Sequence, residues 1–293
     1  MIFHRGMPPF QYVRPKTLKE AFVLLSQKDK GRAKVFAGGT DLFPKLKRRE
    51  VKIPGTLVDL KGIPDLNYIQ YDEKKGLRLG PLTTLHAIER SRMIRDKYGL
   101  LAQAAHSIGS PQIRNRGTIA GNICNAVPSA DSAPALLVLG TRLMLQNSKG
   151  KRTVKIEDFF KGPNATILSN GELLREIQVP PLPKGSRGLY LKVSPRRSMD
   201  LAVVGAAVLV ILDKGVCKDV RVALGAVSPT PIRAQRAEEI LRGQPFSDRL
   251  VEEAAHVASE EARPIDDHRA SANYRRRMIE VLVRRAIREV WIH

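Results

Sequence analysis

Aromatic residues make up only 5% of this 293-residue chain, too few to interleave with its basic clusters as base-stacking platforms would. The histidines (His4, His86, His106, His256, His268 and His293) fall at no spacing that gathers them on one metal. Cysteine is scarcer still. Cys124 and Cys217 lie far apart, form neither a disulfide framework nor a C-x-x-C site, and cannot supply the four thiolates of an iron–sulfur cluster. A reducing cytoplasm is the expected compartment. The longest apolar run, Leu201 to Leu212, is too short for a bilayer and reads as a buried strand. The opening MIFHRGMPPF has no apolar core followed by a cleavage site, so no secretory signal is expected. No G-x-G-x-x-G opens a helix after a strand and no G-x-x-x-x-G-K-[ST] occurs, which removes Rossmann and P-loop chemistry. No G-x-S-x-G supports a hydrolase triad, and no acid–base constellation stands out.

One sign of charge is in excess. Fifty lysines and arginines against 29 acids give a net charge of +21, a field that favours polyanions. The basic residues are spread along the chain, however, and are densest in helical stretches such as Arg275 to Arg288. A solvated face, or one that docks on acidic partners, fits this distribution better than a nucleic-acid footprint does.

The informative residues are glycines. In Arg114 to Leu139, RNRGTIAGNICNAVPSADSAPALLVL, the run Gly117, Thr118, Gly121 and Asn122 is followed by an amide-rich stretch and then an apolar helix. A shorter run, KVFAGGTDL from Lys34 to Leu42, has an apolar strand ending in Gly38-Gly39, with Pro44 where a helix would begin. Closely spaced glycines let the backbone turn sharply and approach a ligand, and the N–H groups of such turns make a nest for phosphate oxygens. Either loop alone is an ordinary turn. Two of them converging would suit one diphosphate-bearing ligand.

The rest of the chain alternates strands and helices. Thr17-x-x-Glu20 is a capping box opening a helix through Leu18, Ala21, Phe22 and Leu25. Short strands follow at Val35-Phe36, Thr56 to Leu60, Tyr68-Ile69 and Leu77 to Leu79, with helices at Leu85 to Glu89, Leu100 to Ser107 and Ala133 to Leu139. Leu143 to Gln146 and Arg152 to Ile156 make a hairpin, and Leu173 to Val179 is a strand halted by Pro180-Pro181. Beyond it, Leu189 to Val193, Leu201 to Leu212 and Val220 to Val227 predict a three-stranded antiparallel sheet. Helices close the chain, the last presenting Tyr274, Met278, Val281 and Leu282 as one buried stripe with arginines outside. The expected units are 1–60, 61–180 and 181–293.

AGGTDL at 37–42 and RNRGTIAGN at 114–122 resemble the two flavin-diphosphate loops of the FAD-binding medium subunits of molybdenum hydroxylases, the family of xanthine dehydrogenase and aerobic carbon monoxide dehydrogenase. FQYVRPKTLKEAFVLL, GLRLGPLTT, PSADSAPALL, ELLREIQVP, LKVSPRRSMDLAVVGAAV and ALGAVSPTPIRAQRAEEIL follow in the family's order, so the likeness covers about residues 10–245. The resemblance implies an α+β fold of the p-cresol methylhydroxylase/vanillyl-alcohol oxidase type: two α/β subdomains holding FAD, then an antiparallel sheet with helices. It implies FAD contacts at Val35, Phe36, Ala37, Gly38, Gly39, Thr40, Asp41 and Leu42, at Ile108, and at Thr118, Ile119, Ala120, Gly121 and Asn122. Ala120 stands where the family usually has glycine. Asp131 matches an acid whose sensible role is accepting from ribityl or ribose hydroxyls, with helix capping as the plain alternative. Leu174 matches an apolar residue against the flavin ring, and Lys192 a lysine near it that would favour anionic reduced flavin. Expected partners are a large molybdopterin subunit and a small [2Fe–2S] subunit, as a dimer of heterotrimers, with NAD or a quinone as acceptor. No nucleic acid and no membrane span are expected. Two readings from other classes remain: a stand-alone flavin oxidoreductase of the same fold, and a basic nucleic-acid-binding scaffold.

Overall fold

Thr17 opens the first helix as its spacing to Glu20 predicts. The Glu20 N–H donates to Thr17 Oγ1 at 3.2 Å, and the Glu20 carboxylate accepts from the Lys16 N–H at 2.8 Å, so two end donors are satisfied by side chains. The computed structural model describes residues 6–7, 9–26, 33–196 and 198–292; residues 1–5, with His4, and the terminal His293 lie outside them. The first unit runs β1 (Gln11–Val13), α1 (Leu18–Ser26), β2 (Lys34–Phe36), α2 (Leu42–Arg48) and β3 (Thr56–Asp59). Its three strands pair in parallel with β3 central. Ala21, Phe22 and Leu25 of α1 are buried with Val58 and Leu60.

The second unit carries β4 (Ile69–Asp72) and β5 (Gly76–Leu79). A run of short helices follows: α3 (Leu85–Arg90), α4 (Arg92–Lys97), α5 (Gly99–His106), α6 (Pro111–Arg116), α7 (Ile119–Asn125) and α8 (Ser132–Val138). Strands β6 (Arg142–Asn147), β7 (Gly150–Lys155), β8 (Phe160–Gly162), β9 (Ala165–Thr166) and β10 (Leu173–Val179) complete it. An antiparallel sheet forms in the order β4-β5-β10-β6-β7. The β6–β7 turn is closed by the Asn147 side chain, which accepts from the N–H groups of Lys149 and Gly150 at 2.8 and 3.1 Å. One face of the sheet packs on the helices. Leu77, Leu79, Leu143, Leu145 and Ile177 are all fully buried there, together with Ile119, Ile123 and Leu136 of the helices.

The third unit holds β11 (Ser186–Val193), β12 (Val204–Asp213), β13 (Val216–Gly225) and β14 (Ile232–Arg233), antiparallel in that order, and α9 (Gln235–Leu241), α10 (Asp248–Glu261) and α11 (Ala272–Ile292). The expected three strands gain a two-residue edge. Strand β12 is apolar up to its terminal Asp213 because both its faces are covered: Ala207 and Leu209 join the core of the second unit, whereas Ala206, Val208 and Val210 meet the helices of the third. No helix among the described residues is long and apolar enough to cross a membrane.

The stripe expected on the last helix is displaced. Tyr274 is 45% exposed, and the buried face is Arg275, Ile279, Leu282, Val283, Ala286, Ile287, Val290 and Trp291. Arg275 belongs inside because its charge is matched. Its Nη1 donates to the carbonyls of Val203 and Ala226 at 2.6 and 3.1 Å, and its Nη2 to Asp267 Oδ1 at 2.7 Å. The expectation that every arginine faces outward fails here, since a guanidinium tolerates burial once its charge and most of its donors are met; only Nε takes no partner among the described residues.

Candidate functional site

The two glycine stretches meet. A Cβ built on Gly38 would lie 2.1 Å from the Arg116 carbonyl oxygen and 3.0 Å from Gly117 Cα, and one on Gly117 would lie 3.4 Å from Thr40 Oγ1. The first stretch is a turn from β2 into α2. Gly39 sits at φ +77°, where its missing Cβ leaves room for the rings of Phe36 and Phe43. The second stretch differs from the expected loop: only Gly117 and Thr118 are loop, and Ile119 to Asn122 form the first turn of α7. Thr118 caps that turn, accepting from the Gly121 N–H at 3.1 Å. Two strand-like bonds pin it to the 83–85 segment, Ile119 N–H to Thr83 and Leu85 N–H to Gly117, at 3.0 and 2.9 Å. Ile119 and Ala120 are buried in the core, so the Ala120 methyl packs inward rather than narrowing a loop.

Between these stretches and the outer face of the five-stranded sheet runs a cleft of about 710 Å³, lined near one end by Ala37, Gly38, Arg116 and Thr118. Next to this end, though outside the lining itself, the first loop carries donors that suit a diphosphate. Among the described residues the N–H groups of Gly39, Thr40 and Asp41 take no partner, and such successive free donors form an anion nest. Asp41 stands at the start of α2 without capping it, and burial raises its carboxyl above the usual range, with Lys45 pulling the other way. Lys61 braces the first loop. Its ammonium donates to the Ala37 carbonyl at 2.7 Å, pairs with Asp59 at 2.7 Å and lies 3.6 Å from the centre of the Phe36 ring. Val35 packs against the core of the first unit, and Leu42 is the first residue of α2. Arg116 lines the cleft with no ionic partner among the described residues. Arg114, by contrast, is buried and held by Glu89 at 2.6 Å, with Nη1 donating to the Ile108 carbonyl at 3.2 Å.

The far wall is polar. Glu176 is 1% exposed and accepts from Arg78 and Tyr68 at 2.7 and 2.5 Å through one oxygen and from Gln178 at 2.7 Å through the other. Burial alone would raise its carboxyl, but these bonds and the Arg78 charge outweigh it and hold it below the usual range. Burial first, then the Glu176 contact, pushes the Tyr68 phenol up to about 12.

The other expected contacts gather elsewhere. Asp131 is buried where α8 meets the third unit. It caps nothing: its oxygens accept from Tyr190 Oη at 2.6 Å and Lys192 Nζ at 2.9 Å. The Lys192 ammonium also donates to the carbonyls of Ser107 and Asp200 at 3.1 and 2.9 Å, so its three protons are committed. Burial drives the Asp131 carboxyl above its usual range despite the lysine, and drives the Tyr190 phenol well above its own. The cluster is tied to the glycine stretch through Ser132, whose hydroxyl donates to Asn122 Oδ1 at 2.6 Å. Leu174 is buried in the core, Ile108 is partly buried beside it, and neither lines the cleft. Sequence reasoning missed Tyr190, although it is two residues from Lys192 on one strand face. It also missed Lys61, Tyr68, Arg175 and Glu176, which carry no motif.

Residues 8–182 match a family model described as the FAD binding domain in molybdopterin dehydrogenase, and residues 189–290 one described as the CO dehydrogenase flavoprotein C-terminal domain. The chain is 38% identical to the glyceraldehyde dehydrogenase medium chain of Sulfolobus acidocaldarius, covering 97% of this chain and 99% of that one. It is 34% identical to the carbon monoxide dehydrogenase medium chain of Hydrogenophaga pseudoflava, over 97% and 98%. Among solved structures, carbon monoxide dehydrogenase from Hydrogenophaga pseudoflava superposes with a TM-score of 0.92 at 34% identity, covering 98% of each chain.

Proposed function

The chain belongs to the FAD-binding medium subunits of the molybdenum hydroxylase family, and from that premise we propose that it is the flavin station of a heteromeric dehydrogenase. In this reading a large subunit oxidises substrate at a molybdopterin centre and a small subunit relays electrons through [2Fe–2S] clusters. This chain holds the FAD that accepts them and passes them to an external acceptor such as NAD⁺ or a quinone. FAD supplies the exchange between single-electron and pair transfer, and the protein's part is binding and orientation. The assembly is a dimer of heterotrimers in the cytoplasm.

The observation that carries the reading is the contact between the two glycine stretches at Gly38 and Arg116. It sets the free N–H groups of Gly39, Thr40 and Asp41 against the 117–118 turn, and the dinucleotide's diphosphate would lie there. Arg116, beside them and without an ionic partner among the described residues, adds a compensating charge. Toward the third unit, Asp131 with Tyr190 and Lys192 forms the polar end that faces the flavin half, and Ile108 and Leu174 supply the apolar backing. Because all three Lys192 protons are already bonded, its role is to fix the 107 and 200 segments rather than to donate to the ring. We divide the chain into 1–60, 61–180 and 181–293, one larger sheet to each unit, with the cleft between the first two.

Co-expression with the products of neighbouring genes, followed by affinity capture of this chain, tests the assembly. Molybdenum and iron captured with a flavin-bearing chain support it. A flavin-bearing chain that elutes alone from a lysate containing both metalloproteins favours the stand-alone flavin oxidoreductase instead.

A further inference from the structure

Strand β10 is irregular. Its pairing with β6 slips between Leu174 and Glu176, so Arg175 is an extra residue with no partner in that ladder. A bulge of this kind re-aims a side chain. Here Arg175 and Glu176 both line the cleft, whereas Leu174 stays in the core. The Arg175 guanidinium lies 6.0 Å from the centre of the Tyr68 ring and donates through Nη2 to the Asp65 carbonyl at 3.4 Å. Asp65 itself sits at φ +58°, a left-handed conformation uncommon for a residue with a Cβ. Nη1 of Arg175 is buried and has no hydrogen-bond partner among the described residues. A charged donor kept from water and left unpaired is costly, and such a group at a cleft wall is explained by an acceptor that arrives with a ligand.

We propose that Arg175, presented by this bulge, is the specificity-determining donor for the adenosine half of the dinucleotide. The proposal rests on the flavin reading and deepens it. With the diphosphate at the glycine stretches and the flavin half toward Asp131 and Lys192, the adenosine half is left the polar cleft over the sheet. There Asn67, Gln70 and Asn115 offer amide donors and acceptors of the kind a ribose and a purine edge require. The Tyr68 ring, its hydroxyl anchored to Glu176, offers a fixed face beside them. Arg175 Nη1 then donates to a purine nitrogen or a ribose oxygen. FMN has no atoms in this part of the cleft, so Arg175 makes the site prefer FAD to FMN.

The test uses the full-length chain freed of flavin, with R175M and R175Q, titrated with FAD, FMN and ADP by flavin fluorescence and by displacement. R175M is expected to weaken FAD and ADP alike, by about tenfold or more, the usual weight of a charge-assisted hydrogen bond, and to leave FMN affinity unchanged. Relief of the unpaired Nη1 offsets loss of the long Nη2 bond to the Asp65 carbonyl, so the thermal midpoint of the flavin-free chain stays level. A merely structural arginine would lower it. R175Q, which keeps a neutral donor, is expected to fall between wild type and R175M. FAD affinity unchanged in R175M, or equal losses for FAD and FMN, overturns the proposal while the flavin reading stands. A wild-type chain that binds FMN and FAD equally and ignores ADP overturns it as well. Failure of wild type to bind any flavin overturns both.

Discussion

Gly38→Ala is the smallest change that strikes the site at its centre. The added methyl would sit 2.1 Å from the Arg116 carbonyl oxygen and 2.8 Å from its carbon, against the 3.4 Å at which ordinary contact begins. Both obstacles are backbone, so no side chain can swing aside. The two stretches must part by about 1.3 Å, a displacement larger than catalytic and binding constellations tolerate. The 116–118 backbone cannot yield freely, since it is pinned to the 83–85 segment and capped by Thr118. Overpacking of this sort costs about 1–3 kcal/mol. Loss of alignment between the free N–H groups and a diphosphate adds a loss of binding on the order of a hundredfold, taken as two charge-assisted hydrogen bonds. The assay is FAD bound per chain, with the thermal midpoint measured with and without added FAD. Gly150→Ala is the control, since a Cβ there meets nothing within 4 Å. A Gly38→Ala chain with wild-type FAD content and wild-type midpoint would refute the reasoning.

Other perturbations have defined outcomes. Arg275→Met orphans Asp267 and two buried carbonyls and is expected to cost about 3 kcal/mol, a midpoint about 6 to 12 °C lower by calorimetry. Wild-type stability would show that the buried guanidinium contributes nothing. Lys192→Met releases the Ser107 and Asp200 carbonyls together, so faster amide exchange is expected across 198–201, and unchanged exchange there would contradict the holding role. Glu176 titrates below the 4.5 of an ordinary glutamate, so the unfolded chain takes up that proton first as pH falls. Its contribution to stability is therefore complete above about pH 4.5 and is lost as pH drops through the folded value. Thermal midpoints between about pH 7 and pH 3 should show a shallower acid limb in Glu176→Gln, and parallel curves would contradict this.

What could be read from the sequence was whatever depends on neighbours in sequence. Thr17 and Glu20 cap a helix because both partners are within one turn, and Gly38-Gly39 marks a turn wherever it lies. The β6–β7 hairpin was legible too, and an unbroken apolar run disclosed β12. The second glycine stretch was located correctly but misread as all loop, although Ser110-Pro111 before α6 and Thr118 before α7 are each helix-opening signals. The α11 stripe slipped by one position because apolar periodicity has no place for a buried arginine, and only Asp267 and two distant carbonyls make Arg275 acceptable inside. Arg175 was invisible for a related reason. A bulge breaks the alternation of a strand without altering its composition, so Leu-Leu-Arg-Glu-Ile does not disclose which residues face the cleft. The saturation of Lys192 likewise depends on Ser107, Asp131 and Asp200, which converge only in the fold.

The central claim, that the cleft between the glycine stretches binds FAD, is tested most directly by an absorbance spectrum of the purified chain in its co-expressed complex. The released cofactor is then identified by mass. The account predicts about one FAD per chain, given one such pair of glycine stretches, and its loss in Gly38→Val and Gly121→Val. A colourless, flavin-free chain within the intact complex would contradict it.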